Sequence, residues 1–172
     1  MKQNNYKQKQ QEKFRKAEKI GRQLFVDYLK EKGINDVVQC GQFDAFDLSV
    51  NYDDVIKGVE IKYRWDYPST ASFIKKEGVL FEEKKFNEIF KFETTTTHLP
   101  HNYYYISLFN DGVGFSHKID ITHKDKYKWE TKVLKKSTVA EEWGEEEKVI
   151  TYIPIENCKK FYFTITEDAY IK

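Results

Sequence analysis

Of the chain's 172 residues only two are cysteine, three are proline and one is methionine. Cys40 and Cys158 lie far apart and form no metal-ligand pair, which argues against a disulfide framework, a zinc module and redox chemistry. No stretch approaches the roughly 20 apolar residues that a bilayer demands, and Met1 leads into Lys, Gln and Asn instead of a hydrophobic signal region. The chain therefore reads as soluble and intracellular. Glycine is sparse as well: Gly112-Val113-Gly114 belongs to a hairpin turn and opens no helix, so a phosphate-cradling loop is excluded. Net charge is almost absent, with 29 Lys+Arg against 28 Asp+Glu.

What is plentiful is aromatic bulk. The 13 Phe, 12 Tyr and 3 Trp, within a 40% hydrophobic composition, supply a core for one ordinary domain spanning residues 1–172. The near-zero charge conceals an asymmetry, because residues 1–22 hold eight Lys or Arg against two Glu. That basic end, with residues 1–12 as a segment that can fray, offers a dock for a polyanion. The abundance of Lys, Asn, Ile and Tyr fits coding by an AT-rich genome such as that of a phage or mobile element.

Hydrophobic periodicity predicts an amphipathic helix over Gln11–Lys32, through Phe14, Ala17, Ile20, Leu24, Phe25, Tyr28 and Leu29, with Gly33 placed to end it. Three extended stretches follow, Val37–Gln42, Phe46–Val50 and Gly58–Trp65, the last two joined by a polar turn. Ser69–Val79 reads as loop-rich, and Glu82–Phe92 regains helical spacing. Asn102–Phe109 is a strand, turned by Asn110-Asp111-Gly112 into a partner at Val113–Ile121. Residues 122–147 carry a lysine cluster and then a glutamate cluster and read as an exposed excursion. Lys148–Ile155 and Phe161–Ile165 close the chain as strands. The order implies one mixed sheet flanked by helices, an α/β fold with extra C-terminal strands.

The chemistry concentrates in Phe46-Asp47-Leu48-Ser49-Val50 and Val59-Glu60-Ile61-Lys62-Tyr63-Arg64. Side chains two apart on a strand share a face, so Glu60, Lys62 and Arg64 lie together. If the two strands pair, Asp47 and Glu60 converge with Lys62 beside them. Two such carboxylates repel unless a cation lies between them, and an oxygen-only site with free coordination positions suits Mg²⁺ or Mn²⁺. Lys62 would then orient or deprotonate a water attacking a phosphodiester. Asp44, between Phe43 and Ala45, is the alternative to Asp47, which is preferred because Leu48-Ser49-Val50 continues its strand. Arg64, Lys84 and Lys85 lie near enough to contact a nucleic-acid backbone, as do Arg15, Lys19 and Arg22 on the first helix and the Lys-rich residues 118–136, where Tyr127 and Trp129 are interleaved.

These residues resemble the PD-(D/E)XK nuclease superfamily, whose restriction-endonuclease-like core, shared with Holliday-junction resolvases, runs helix, three-strand meander, helix, strand. The matching pieces are Asp47, Glu60-Ile61-Lys62 and the helices before and after, covering roughly residues 14–110. The resemblance implies that Asp47 and Glu60 bind metal, that Ile61 lends its backbone carbonyl, that Lys62 is catalytic, and that an acidic residue of the first helix, for which Glu18 is the candidate, supports the site. Phe46 stands where the family has a nominal proline. Arg22 stands where a helix glutamate is expected. The expected activity is Mg²⁺- or Mn²⁺-dependent hydrolysis of DNA, with RNA left open, dimerisation or a partner as a source of specificity, and an inactive binding module on the same fold as the rival. A third reading makes Glu60, Lys62 and Arg64 a solvated strand face paired with Asp47.

His98, His101, His117 and His123 do not make a zinc set, and no nucleophile-elbow glycines surround Ser116.

Overall fold

The structure, a computed structural model, describes residues 2–41, 44–95, 102–135 and 145–169. Helix α1 covers Lys2–Glu31, starting well before the predicted Gln11. Ala17, Leu24, Phe25, Val26 and Leu29 form its buried stripe. The helix ends where Gly33 adopts φ +77°, a left-handed turn that lets Ile34 N–H reach back to the Leu29 carbonyl at 2.9 Å.

A meander follows: β1 (Val37–Gln39), β2 (Leu48–Tyr52) and β3 (Val55–Arg64), successive strands antiparallel. Asp53 and Asp54 both sit at positive φ, as a two-residue hairpin turn requires, and aspartate tolerates that region because its short carboxylate can bond locally. The register sets Leu48 opposite Val59 and Val50 opposite Lys57.

The chain then crosses over through α2 (Ser72–Glu77), β4 (Val79–Glu82) and α3 (Glu83–Thr95) to β5 (Asn102–Phe109), which pairs parallel to β3. A tight return gives β6 (Val113–Ile119), antiparallel to β5. The last third supplies β7 (Glu130–Lys135), β8 (Glu145–Ile153) and β9 (Lys159–Tyr162).

The expectation of a single sheet is corrected. One sheet has six strands in the order β1-β2-β3-β5-β6-β9, and a second has three in the order β4-β8-β7. Ser69–Val79, predicted as loop, holds α2 and the start of β4. The supposed excursion at 122–147 is also largely built in: its described part includes β7 and the first residues of β8, while residues 136–144 lie outside the described residues. The physical reason is that its lysines reach carboxylates at the surface, Lys124 to Glu83, Lys126 to Asp120 and Lys132 to Glu77 and Glu130, while its aromatic residues turn inward. Tyr127 and Trp129 are half-buried and pack on Phe81 and Phe86 at the edge of the core, so they do not form an open stacking surface.

Two apolar layers result. Leu48, Val50, Val59, Ile61, Tyr63, Ile106 and Leu108 face α1. Tyr103, Tyr105, Phe109, Phe115 and Ile119, on the other face, pack against Phe81, Phe86 and Ile89 of β4 and α3. The mixed α/β architecture thus begins with helix, three-strand meander and helical crossover to a parallel strand, the order expected from the sequence. Among the described residues no helix is long and apolar enough to cross a membrane.

Candidate functional site

β2 begins at Leu48, whereas β3 continues through Glu60 to Arg64, so beyond Val59 the edge of β3 away from β5 is left open by β2. Asp47 sits at that gap. Its N–H donates to the Val59 carbonyl at 2.9 Å and its carbonyl accepts from Cys40 N–H at 2.9 Å, which ties residue 47 to β3 on one side and to the end of β1 on the other. The Asp47 Oδ2 atom then accepts the Ile61 N–H at 2.8 Å. A strand residue presents its N–H and C=O on the same side, so the Ile61 carbonyl is directed to this gap too.

Glu60 leaves the opposite face of β3 and is only 4% exposed. Its Oε2 lies 3.3 Å from Lys85 Nζ, on α3, and its Oε1 lies 3.9 Å from Lys62 Nζ. Burial, then the Asp47 carboxylate, pushes Glu60 up to about 7, against the pull of the Lys62 and Lys85 amines. Lys85 is itself shared with Glu88, at 3.0 Å one turn further along α3. On the α1 side, Arg22 Nη2 lies 2.6 Å from Asp47 Oδ1.

These groups line a cleft of about 390 Å³ between α1 and α3, with Glu18, Asp44, Glu82 and Lys84 also on its wall. Asp47, Glu60, Ile61, Lys62 and Glu18 are therefore brought to one cavity. Asp44 shares it, but its carboxylate is turned back onto the Gly41 N–H. Lys84 and Lys85 face the same space. Arg15 and Lys19 do not; they line an adjoining groove of about 930 Å³ along α1, together with Lys16, Gln23, Gln39 and Asp168. Glu18 and Arg22 border both cavities.

Arg64 is the exception and needs correction. It shares the face of Glu60, yet that part of the face is covered by β4: its guanidinium donates to the Leu80 carbonyl and to the Tyr105 hydroxyl, each at 3.2 Å, and is shut away from the cleft. Sequence reasoning took Arg22 only as a backbone contact and a departure from the family pattern. It missed the bond to Asp47, as well as Glu82 and Glu88 on the cleft wall. The signal available for Arg22 was its place four residues after Glu18, one turn along the same helix face.

The candidate donors that line the cleft are all oxygen: the Asp47 and Glu60 carboxylates and the Ile61 main-chain carbonyl. Among the described residues no group of three or more His, Cys, Asp or Glu side chains is placed to hold an ion; Asp47 and Glu60, both on the cleft wall, are the two side-chain candidates. Such a set fits a hard divalent cation that keeps water or takes a phosphate oxygen, and does not fit zinc. Burial pushes both thiols, Cys40 and Cys158, up to about 11, which keeps them protonated and inert.

Fold and site together define a mixed α/β protein with a carboxylate-and-lysine cleft at the end of a meander. The sequence matches no family model and no curated protein. Among solved structures the chain is similar to Hjc, a Holliday junction resolvase from the archaeal hyperthermophile Archaeoglobus fulgidus, with 11% identity over 78% of this chain and 85% of that one and a TM-score of 0.42.

Proposed function

We propose that this chain is a metal-dependent nuclease that hydrolyses phosphodiester bonds, with DNA as its substrate. The observation that carries the reading is the meeting of Asp47, Glu60, Lys62 and the Ile61 backbone in one cleft, from two strands whose pairing stops there. Asp47, Glu60 and the Ile61 carbonyl would hold Mg²⁺ or Mn²⁺, with Glu18 in support. When bound, that ion supplies Lewis-acid polarisation of the scissile phosphate and a more acidic water.

The protein's own residues do the rest. The Ile61 N–H fixes the Asp47 carboxylate in one orientation, so its second oxygen is aimed without further ordering. Lys62 keeps about a third of its side chain exposed while remaining near Glu60, which lets its ammonium meet both the attacking water and the charge that builds on phosphorus. Lys84 contributes a second cation on the α3 wall, and Arg15, Lys16 and Lys19 extend positive charge along α1 for the phosphates flanking the cut. This basic groove supports a polyanionic substrate despite the near-zero net charge of the whole chain.

A second reading, an inactive nucleic-acid-binding module on the same fold, is favoured by one observation: Arg22 and Lys85 already neutralise the two carboxylates. The deciding experiment is cleavage of a panel of linear, circular, single-stranded and branched DNAs with Mg²⁺ or Mn²⁺, comparing wild type with Glu60→Ala and Lys62→Ala. Cleavage lost in both variants and in chelator supports the nuclease. DNA binding without cleavage of any substrate supports the module.

A further inference from the structure

The Arg22–Asp47 contact has a place in the nuclease reading, on which the following rests. Both oxygens of Asp47 are engaged: Oδ2 by the Ile61 N–H at 2.8 Å, Oδ1 by the Arg22 guanidinium at 2.6 Å. Glu60 is likewise engaged by Lys85 and Lys62. Three cationic side chains therefore attend the two carboxylates that a divalent ion would need. An ion bound at Oδ1 at an ordinary Mg²⁺–oxygen distance of about 2.1 Å would press directly on a guanidinium that is itself within hydrogen-bond distance of the same atom. Like charges so close cannot both stay.

Arg22 has somewhere else to go. It borders both the 390 Å³ cleft and the 930 Å³ groove along α1. Its Nε is buried and has no hydrogen-bond partner among the described residues, so the present pose leaves one donor of the planar fork unused. A phosphate at the mouth of the groove would offer that fork two acceptor oxygens in the geometry guanidinium prefers. Lysine at this position could not make the same exchange, because it lacks the paired donors.

We propose that Arg22 is a place-holding cation, neutralising Asp47 until metal and a substrate phosphate arrive together, the metal taking Asp47 and the phosphate taking Arg22. The consequence is coupling. Metal binds weakly to the free protein and more tightly when nucleic acid is present, since only then is the displaced guanidinium paired again. The arrangement restrains the cleft from loading a reactive ion before a substrate is in place.

Mn²⁺ binding, followed by calorimetry and by the loss of the free-Mn²⁺ paramagnetic resonance signal, tests this without reference to activity. The proteins are wild type, Arg22→Gln, Arg22→Lys and Asp47→Asn, each with and without a short duplex DNA, in a Lys62→Ala background so that the DNA survives. Wild type is expected to bind Mn²⁺ at least tenfold more tightly with DNA than without. Arg22→Gln is expected to bind Mn²⁺ at least tenfold more tightly than wild type in the absence of DNA, and to gain little when DNA is added. Arg22→Lys should fall between them. Unchanged or weaker Mn²⁺ affinity in a folded Arg22→Gln, with binding still abolished by Asp47→Asn, overturns the place-holding role and leaves the nuclease reading intact. Absence of Mn²⁺ binding in wild type and Arg22→Gln alike, with and without DNA, overturns both.

Discussion

Gly21 is where the packing of α1 and the geometry of the cleft meet. The helix crosses β3 at this residue, and a Cβ added there would lie 2.7 Å from the Tyr63 Cβ, with the Tyr63 Cγ and backbone nitrogen each at 3.6 Å. Favourable carbon contacts lie near 3.5–4.0 Å, so α1 would have to withdraw by roughly 1 Å. Tyr63 cannot yield instead, because the atom struck is the root of its side chain, and its hydroxyl is tied to the Ala169 carbonyl at 3.1 Å. Two effects oppose each other in Gly21→Ala. Helix propensity favours alanine by about 1 kcal/mol. Overpacking costs about 1–3 kcal/mol, and withdrawal loosens the buried contacts of Ala17, Leu24 and Phe25 as well. The clash wins, and urea denaturation should show the variant less stable than wild type by about 1–2 kcal/mol with an unchanged slope. Glu18 and Arg22 flank Gly21 on the same helix, so the shift should also lengthen the Arg22–Asp47 contact and lower any cleavage activity. Gly33→Ala is the control: a Cβ added there meets nothing within 4 Å beyond its chain neighbours, so only the left-handed φ of +77° is penalised, by about 1 kcal/mol, with no effect on the cleft. A Gly21→Ala protein more stable than wild type by the full propensity gain would refute the claim that α1 rests on Tyr63.

Other consequences can be checked in the same purified protein. Glu60, raised to about 7 from an ordinary 4.5 chiefly by burial, holds its proton more tightly folded than unfolded, so its contribution to stability is complete below about pH 4.5 and lost as pH rises through about 7; the difference amounts to about 3 kcal/mol. In chelator, Glu60→Gln should therefore gain stability on wild type between pH 5 and pH 8, and a difference that does not change with pH would contradict the assignment. His117 behaves oppositely: burial lowers its pKa below 6.5, with its ring nitrogens bonded to the Asn157 carbonyl and the Tyr127 hydroxyl, so its share of stability is present above about pH 6.5 and declines as pH falls below it. His117→Asn should remove that decline, as denaturation at pH 7 and pH 5 would reveal. Arg64→Met should cost about 1–3 kcal/mol through loss of two part-buried charged hydrogen bonds, while leaving the salt dependence of DNA affinity unaltered; Lys19→Ala should do the reverse, lowering the slope of log affinity against log salt by about 1.

Much of this protein was decided by neighbours in sequence. The α1 stripe, the Gly33 stop, the Asp53-Asp54 turn and the β5 strand at Asn102–Phe109 follow from three- and four-residue spacing, from one residue without a Cβ, from carboxylates that tolerate positive φ, and from a run of Tyr and Ile. The same local logic placed Asp47 near the start of one strand, where the structure has it one residue before β2, and Glu60 and Lys62 on one face of the next. The second sheet had no such signal, because β4 and β8 join Val79 to Ile153 across a long interval of chain, and neither strand announces the other. Tyr127 and Trp129 sit among lysines and read as surface until Phe81 and Phe86 arrive from elsewhere to cover them. Arg64 shows the limit most plainly. Period-two alternation gives the face a strand residue occupies, but whether that face meets solvent or another layer depends on what packs over it. Leu80 and Tyr105 cover Arg64, while α3 brings only Lys85 to Glu60 and leaves the cleft beside it open. The sequence by itself determined which groups could act together; only the tertiary structure decided which remain accessible and that Arg22 holds Asp47, since both depend on contacts between segments whose proximity no local pattern encodes.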